Sequence, residues 1–113
     1  MKIQKAIELS ELSEFINSLE SKTKQKVGEF GNKLSGGQKQ RIGIARCFYD
    51  NSDIIIFDES LNAIDEKTKS KIISNIFQHL KDKTIIFITH DMEFSKYFKK
   101  KFFLKNGKLE LII

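Results

Sequence analysis

Proline is absent from this chain of 113 residues, cysteine occurs once, and no apolar run approaches the ~20 residues that cross a bilayer. Each absence closes a class. The lone Cys47 has no partner for an intramolecular disulfide and no second thiol for a metal site, and it reads as a small apolar helix residue. No segment reads as a membrane span. The opening MKIQKAIELSEL lacks the continuous apolar stretch and small-residue cleavage site of a secretory signal, so a cytoplasmic location is expected. Neither a linker nor an internal repeat stands out, and a single domain of this size buries roughly two-thirds of the surface its unfolded chain exposes.

The residues that are present describe a globular protein: 40% are hydrophobic, ten are phenylalanine, and 31% are charged. A net charge of +5 permits loose attraction to nucleic acid or anionic lipid. The lysines are nevertheless dispersed over every segment, the pattern of a solvated surface.

Residues 1–27 read as helical and amphipathic, with Ile7, Leu9, Leu12, Phe15, Ile16 and Leu19 at the spacings of one face. A loop, GEFGNK, runs from Gly28 to Lys33. Ser35 then opens a second helix expected to reach about Tyr49, and Gln38 completes a Ser-x-x-Gln capping-box pattern. In DIIIFDES the apolar run Ile54 to Phe57 predicts a central parallel strand covered on both faces. A helix over 64–80 follows, turning Ile64, Ile72, Ile73, Ile76, Phe77 and Leu80 to the core. TIIFITH, Thr84 to His90, predicts a second buried strand and 92–99 a short helix. FFLKNGKLELII predicts two strands about Asn106-Gly107, a dipeptide favoured in tight hairpins. Strand, helix, strand, helix is the order of an α/β fold.

Ser35, Gly36 and Gly37 stand where a helix begins, so exposed amides and the helix dipole face an approaching anion. Alone, that triplet is an ordinary capped helix. Its long continuation, LSGGQKQRIGIAR, followed at short distance by DIIIFDE, makes it specific. Asp58 falls at the carboxyl end of its predicted strand, the edge where open α/β sheets place ligands, and an acid there can hold Mg²⁺ through waters. Glu59 could orient or deprotonate a water attacking a phosphoryl group. His90 closes the second strand at the same edge, where its ring N–H could reach a terminal phosphate. His79, mid-helix among polar neighbours, receives no role.

LSGGQ with KQRIGIAR, then IIIFDE, SLNAID and ITHD, closely resembles the second half of the ATP-binding cassette ATPase domain of ABC transporters. The resemblance implies that Leu34 to Gln38 are the signature loop, with Ser35, Gly36, Gly37 and Gln38 binding nucleotide. It implies further that Ile54 to Asp58 are the Walker B strand, Asp58 the Mg²⁺ residue, Glu59 the catalytic base, Asn62 to Asp65 the D-loop and His90 the switch histidine. The implied ligands are ATP and Mg²⁺. The implied fold is a partial P-loop NTPase: parallel strands with flanking helices and a carboxyl-terminal β-hairpin. Residues 1–35 would be a helical-subdomain remnant and signature lead-in, and residues 36–113 the Walker B, D-loop and switch region. The lead-in before the signature resembles exporter-type cassettes. Two departures are small: the D-loop reads NAID where SALD is commoner, and Lys101 stands where an Asp often precedes the last strands.

The large departure is the Walker A loop. G-x-x-x-x-G-K-[ST] cradles phosphates with backbone amides and a lysine. Here the only glycine pair at that spacing is GNKLSG, Gly31 to Gly36, which continues as Gly37-Gln38. The family's adenine-stacking aromatic and Q-loop glutamine are not found in residues 1–33 either. In the family two cassettes pair head to tail, so the phosphate met by Ser35 and Gly37 would be held by a partner. The sequence therefore predicts a transporter ATPase fragment inactive by itself, peripheral to the membrane through a transmembrane partner, with a second ABC ATPase domain as the other partner. Two alternatives stand beside it. One is a non-enzymatic half-cassette that completes or blocks a partner's site. The other is a non-transport ATPase acting on nucleic acid through EFSKYFKKKFFLK, Glu93 to Lys105, although that stretch already fits a helix followed by a strand.

Overall fold

The computed structural model describes residues 2–24 and 34–112. The GEFGNK loop, residues 25–27 of the first predicted helix and the first half of GNKLSG lie outside the described residues.

The first segment is not one helix. It divides into α1, Ile3–Leu9, α2, Ser13–Ser18, and a 3-10 turn, Lys22–Lys24. The break is a Schellman motif. Glu11 takes the left-handed conformation at φ 58°, its N–H bonds the Glu8 carbonyl, and the Leu12 N–H reaches back to the Ile7 carbonyl at 3.0 Å. Ser10, fully buried, adds its hydroxyl to the Ala6 carbonyl at 2.8 Å. Apolar spacing carried across this break, because Leu9 and Leu12 are both buried on either side of it.

Helix α3, Gly36–Tyr49, begins on the expected capping box and ends within a residue of the predicted boundary. Strand β1, Ile54–Asp58, leads through α4, Glu66–His79, to the parallel β2, Thr84–Ile88, in the register Ile54↔Thr84 to Asp58↔Ile88. The short helix expected over 92–99 is a 3-10 helix, Met92–Tyr97. The chain then forms the antiparallel hairpin of β3, Phe102–Lys105, and β4, Lys108–Leu111. Asn106 and Gly107 turn it, both at positive φ (52° and 74°), as the favoured two-residue turn demands.

One core joins these pieces. Ile55 and Phe57 of β1 meet Ile44 and Phe48 of α3 and Ile72, Ile73 and Ile76 of α4, with Ala6 and Leu9 of α1 in the same cluster. Phe87 touches Phe57, Phe94 and Phe98, fixing the segment after β2 against the sheet. Burial pushes the half-buried Cys47 thiol up, with Asp50 adding to the effect, in keeping with its reading as an apolar residue.

The expectation of strands covered on both faces is corrected. β1 alternates exposed and buried, leaving Ile54 61% and Ile56 58% exposed, and Ile86 and Ile88 of β2 are exposed on that face too. Only one layer of helices lies on this sheet among the described residues, so an apolar run that reads as doubly buried meets protein on one side. The hairpin likewise exposes Phe102, Leu104, Leu109 and Leu111, which share a face.

Candidate functional site

The site is built where α3 starts and where β1 and β2 end. At the start of α3, Ser35 Oγ accepts from the Gln38 N–H, and Gln38 Oε1 accepts from the Ser35 N–H, each at 3.0 Å. The Gln38 side chain is thereby committed to its own cap. The amides of Gly36 and Gly37, in the first turn, have no carbonyl within the helix to bond. Both glycines are pressed against the loop after β1. A Cβ on Gly37 would lie 2.8 Å from the Ala63 carbonyl oxygen, and one on Gly36 would lie 3.3 Å from the Ala63 Cβ.

Asp58 ends β1 exposed, level with Ile88 in the register. Glu59 follows in the left-handed region at φ 54°, an arrangement that costs a non-glycine residue about 1–2 kcal/mol. Its N–H still extends the strand pairing, bonding the Ile88 carbonyl at 2.9 Å. The turn brings Glu59 Oε1 to 3.3 Å from His90 Nε2, while the His90 side chain remains 99% exposed. Asp58, Glu59 and His90 therefore gather at one sheet edge, beside a cavity of about 330 Å³ lined by Glu59, Asn62, Lys69, Thr89 and His90.

Two residues of this edge were given no role in the motif reading, although Gln40 lies within KQRIGIAR. Gln40 ties α3 to the loop: its Nε2 donates to the Glu59 carbonyl at 3.2 Å and to Asn62 Oδ1, and its Oε1 accepts the Ala63 N–H at 2.9 Å. Lys69, 7% exposed on α4, reaches Glu66 at 3.2 Å and Asp91 at 3.9 Å, with its ammonium 5.6 Å from the Phe94 ring centroid. A lysine at an inward helical position is a signal in the spacing, since Lys69 lies three residues before Ile72. Gln40 gives no such signal.

Asp65 caps α4, its Oδ2 accepting the Thr68 N–H at 3.0 Å. The Thr68 backbone bond, then the Thr68 side chain, hold the Asp65 carboxyl below its ordinary range, with Arg41 contributing less. A depressed folded value means the carboxylate stabilises the fold above the ordinary carboxylate range and ceases to do so as pH falls through the folded value. Asp65→Asn keeps a capping oxygen, so stability at pH 7 is expected to change little while the acid limb of the stability–pH curve flattens. Urea midpoints from pH 7 down to pH 3 would measure this. An unchanged acid limb would remove Asp65 from it.

An anion-facing helix start packed against an acid-bearing strand end, on a parallel β-α-β unit, defines the class: part of an α/β P-loop NTPase fold. A family model described as ABC transporter matches residues 2–62, more than half of the chain. The chain belongs to the ABC transporter family. It is 41% identical over 90 residues to the ATP-dependent lipid A-core flippase of Aliivibrio fischeri, covering 80% of this chain and 16% of that protein. It is 42% identical over 95 residues to the lactococcin-G-processing and transport ATP-binding protein of Lactococcus lactis, covering 84% and 13%. Among solved structures, that of a bacterial Atm1-family ABC exporter with ATP bound superposes with a TM-score of 0.85 at 34% identity, covering 95% of this chain and 19% of that one. The chain thus spans less than a fifth of the length of each of these proteins.

The residues fit the ligands of the family, which binds ATP. Gly36 and Gly37 leave no side chain between their amides and an incoming phosphate. Among the described residues no group of three His, Cys, Asp or Glu side chains could hold a metal ion. One carboxylate at Asp58 suits Mg²⁺, which keeps several waters and shares its shell with substrate phosphates.

Proposed function

We propose that this chain is the carboxyl-terminal part of an ATP-binding cassette ATPase of an exporter. Residues 1–35 are its helical-subdomain remnant and signature lead-in, and residues 36–113 its Walker B, D-loop and switch region. Its ATPase role is composite. Ser35 and Gln38, bonded to each other in the capping box, frame the amides of Gly36 and Gly37 that α3 presents to a nucleotide held by a second, head-to-tail cassette. Asp58, Glu59 and His90 serve the nucleotide gripped by the Walker A loop of their own cassette. Asp58 would hold Mg²⁺ through water, and the ion would supply charge neutralisation at the phosphoryl oxygens. Glu59 accepts the proton of the attacking water, and His90 donates its ring N–H toward the terminal phosphate. Asp65 fixes the D-loop by capping α4. The transport function reaches the membrane through a transmembrane partner, as the names of the flippase and exporter relatives suggest; among the described residues no helix is long and apolar enough to cross one.

The observation that carries this reading is the gathering of Asp58, Glu59 and His90 at the carboxyl edge of β1 and β2, with Glu59 Oε1 3.3 Å from His90 Nε2. Phosphoryl transfer is catalysed mostly by positioning and charge stabilisation. The 113 residues contain no G-x-x-x-x-G-K-[ST] loop to do the positioning, so the chain acts only when a Walker A half is supplied. The exposed Ile54, Ile56, Ile86 and Ile88 offer that half an apolar face to cover. A nucleic-acid role draws less support, because Phe94 and Phe98 pack on Phe87 and the stretch forms a 3-10 helix followed by β3, although Tyr97, Phe102 and Phe103 are exposed.

The test compares ATP turnover by the 113-residue chain alone with turnover after mixing with a separately expressed Walker A half of the Atm1-family exporter cassette. No turnover alone and Mg²⁺-dependent turnover in the mixture is the expected result. Turnover by the chain alone, abolished by Glu59→Gln, would overturn the composite reading, and an inert mixture would count against an enzymatic role.

A further inference from the structure

Gln40 lies one turn inside α3, and all its side-chain partners belong to the five-residue loop from Glu59 to Ala63. That loop must do two things at once. It turns Glu59 through a left-handed conformation toward His90, and it brings the Ala63 carbonyl so close to Gly37 that no side chain fits between them. The same side chain holds both ends. Its amide nitrogen donates to the Glu59 carbonyl and to Asn62, and its oxygen accepts from the Ala63 N–H. The residue type is dictated by this stoichiometry. Two acceptors and one donor converge on one planar group, and a primary amide is the side chain that supplies two N–H bonds and a carbonyl oxygen. A carboxylate offers only acceptors, an ammonium only donors, and an aliphatic chain neither.

From this we infer that Gln40 is a positioning residue: it sets the Glu59 carboxylate against His90 and couples that contact to the start of α3. Glu59 belongs to the site at the end of β1, whereas Gly36 and Gly37 face a different phosphate in the proposed head-to-tail pair. Gln40 therefore links the geometry of two nucleotide sites through a single turn of helix. This last step rests on the composite reading above; the positioning of Glu59 does not.

Two variants separate the bonds. Gln40→Glu retains an acceptor for the Ala63 N–H, and the Asn62 amide can turn to donate to it, so only the Glu59 carbonyl loses its partner. Gln40→Leu loses all three. The experiment uses the intact 113-residue chain in solution, without nucleotide, and reads two NMR signals: the response of the His90 ring protons to Glu59→Gln, and hydrogen exchange at the Ala63 amide. In the wild-type background Glu59→Gln is expected to shift the His90 resonances. In the Gln40→Glu background that response is expected to collapse while Ala63 protection is kept. In the Gln40→Leu background both go, with Ala63 exchanging roughly 3- to 10-fold faster, the worth of one hydrogen bond. A His90 response equal in all three backgrounds, or absent from the wild type, overturns the inference. Should Gln40→Leu fail to fold, the Gln40→Glu comparison decides alone. Because no turnover is measured, an inert ATPase mixture would reject the composite function and leave this result standing.

Discussion

In the cassette reassembled from this chain and a Walker A half, Glu59→Gln is expected to lower kcat for ATP hydrolysis by about 10²- to 10⁴-fold, the usual worth of a positioned general base. The substitution is nearly isosteric. The backbone of Glu59 already pairs with β2 through its N–H at 2.9 Å from the Ile88 carbonyl, and Gln40 grips its carbonyl from the other side. Neither bond involves the carboxylate, so the turn should survive and the protein should melt as before. What would be lost is the carboxylate proposed to accept the proton of water, and with it the charge facing His90. KM for ATP should stay within a few-fold, since binding energy comes from phosphate contacts elsewhere, and a fall in kcat at constant KM marks an interaction made chiefly in the transition state. Steady-state kinetics over a range of ATP and Mg²⁺ would measure the split. An unchanged kcat would take the base role from Glu59, and a rise in KM alone would recast it as a ground-state contact. The left-handed backbone at this position fits the expectation that strain collects at functional sites.

How much of this was legible follows from what each signal depends on. The capping box at Ser35 and Gln38, the strand runs at Ile54 and Thr84 and the Asn106-Gly107 turn were readable because each is written in neighbouring residues and closed by local bonds. The break between α1 and α2 was not, since Ser10 and Glu11 form it by conformation while Leu9 and Leu12 keep the apolar spacing through it. The burial of β1 was misread for a different reason. Ile54 and Ile56 record a face built to be covered, yet nothing in a run of isoleucines says whether the covering layer lies within these residues. For the site, Asp58 and Glu59 were placed by strand-end position, whereas β2 stops at Ile88 and His90 lies two residues beyond the strand it was expected to close; the fold brings Glu59 and His90 together, and their roles stay a proposal. Gln40 was missed because its partners lie some twenty residues away and its sequence neighbours carry the stronger motif.

Gly37→Ala should destabilise the chain by about 1–3 kcal/mol and remove turnover from the reassembled cassette, whereas Gly43→Ala should stabilise it by roughly 0.5–1 kcal/mol. All three glycines of α3 are helical, so helix propensity alone would have alanine improve each of them. Their surroundings differ. A Cβ at Gly43 meets nothing within 4 Å, one at Gly36 meets a methyl group at 3.3 Å that can yield by a few tenths of an ångström, and one at Gly37 meets a backbone oxygen at 2.8 Å. That oxygen cannot retreat cheaply. Ala63 is fixed through its N–H to Gln40, and two residues on Asp65 caps α4. The clash must therefore be relieved by moving the start of α3 or the Glu59 to Ala63 loop, which are the two parts of the proposed composite site. Urea unfolding of the three variants should rank them Gly43→Ala above Gly36→Ala above Gly37→Ala, with turnover falling in the same order. If Gly37→Ala matched Gly43→Ala in both stability and turnover, the close approach of α3 to Ala63 would not exist in solution. If it lost stability but kept turnover, the helix start would be a packing point and not a phosphate contact.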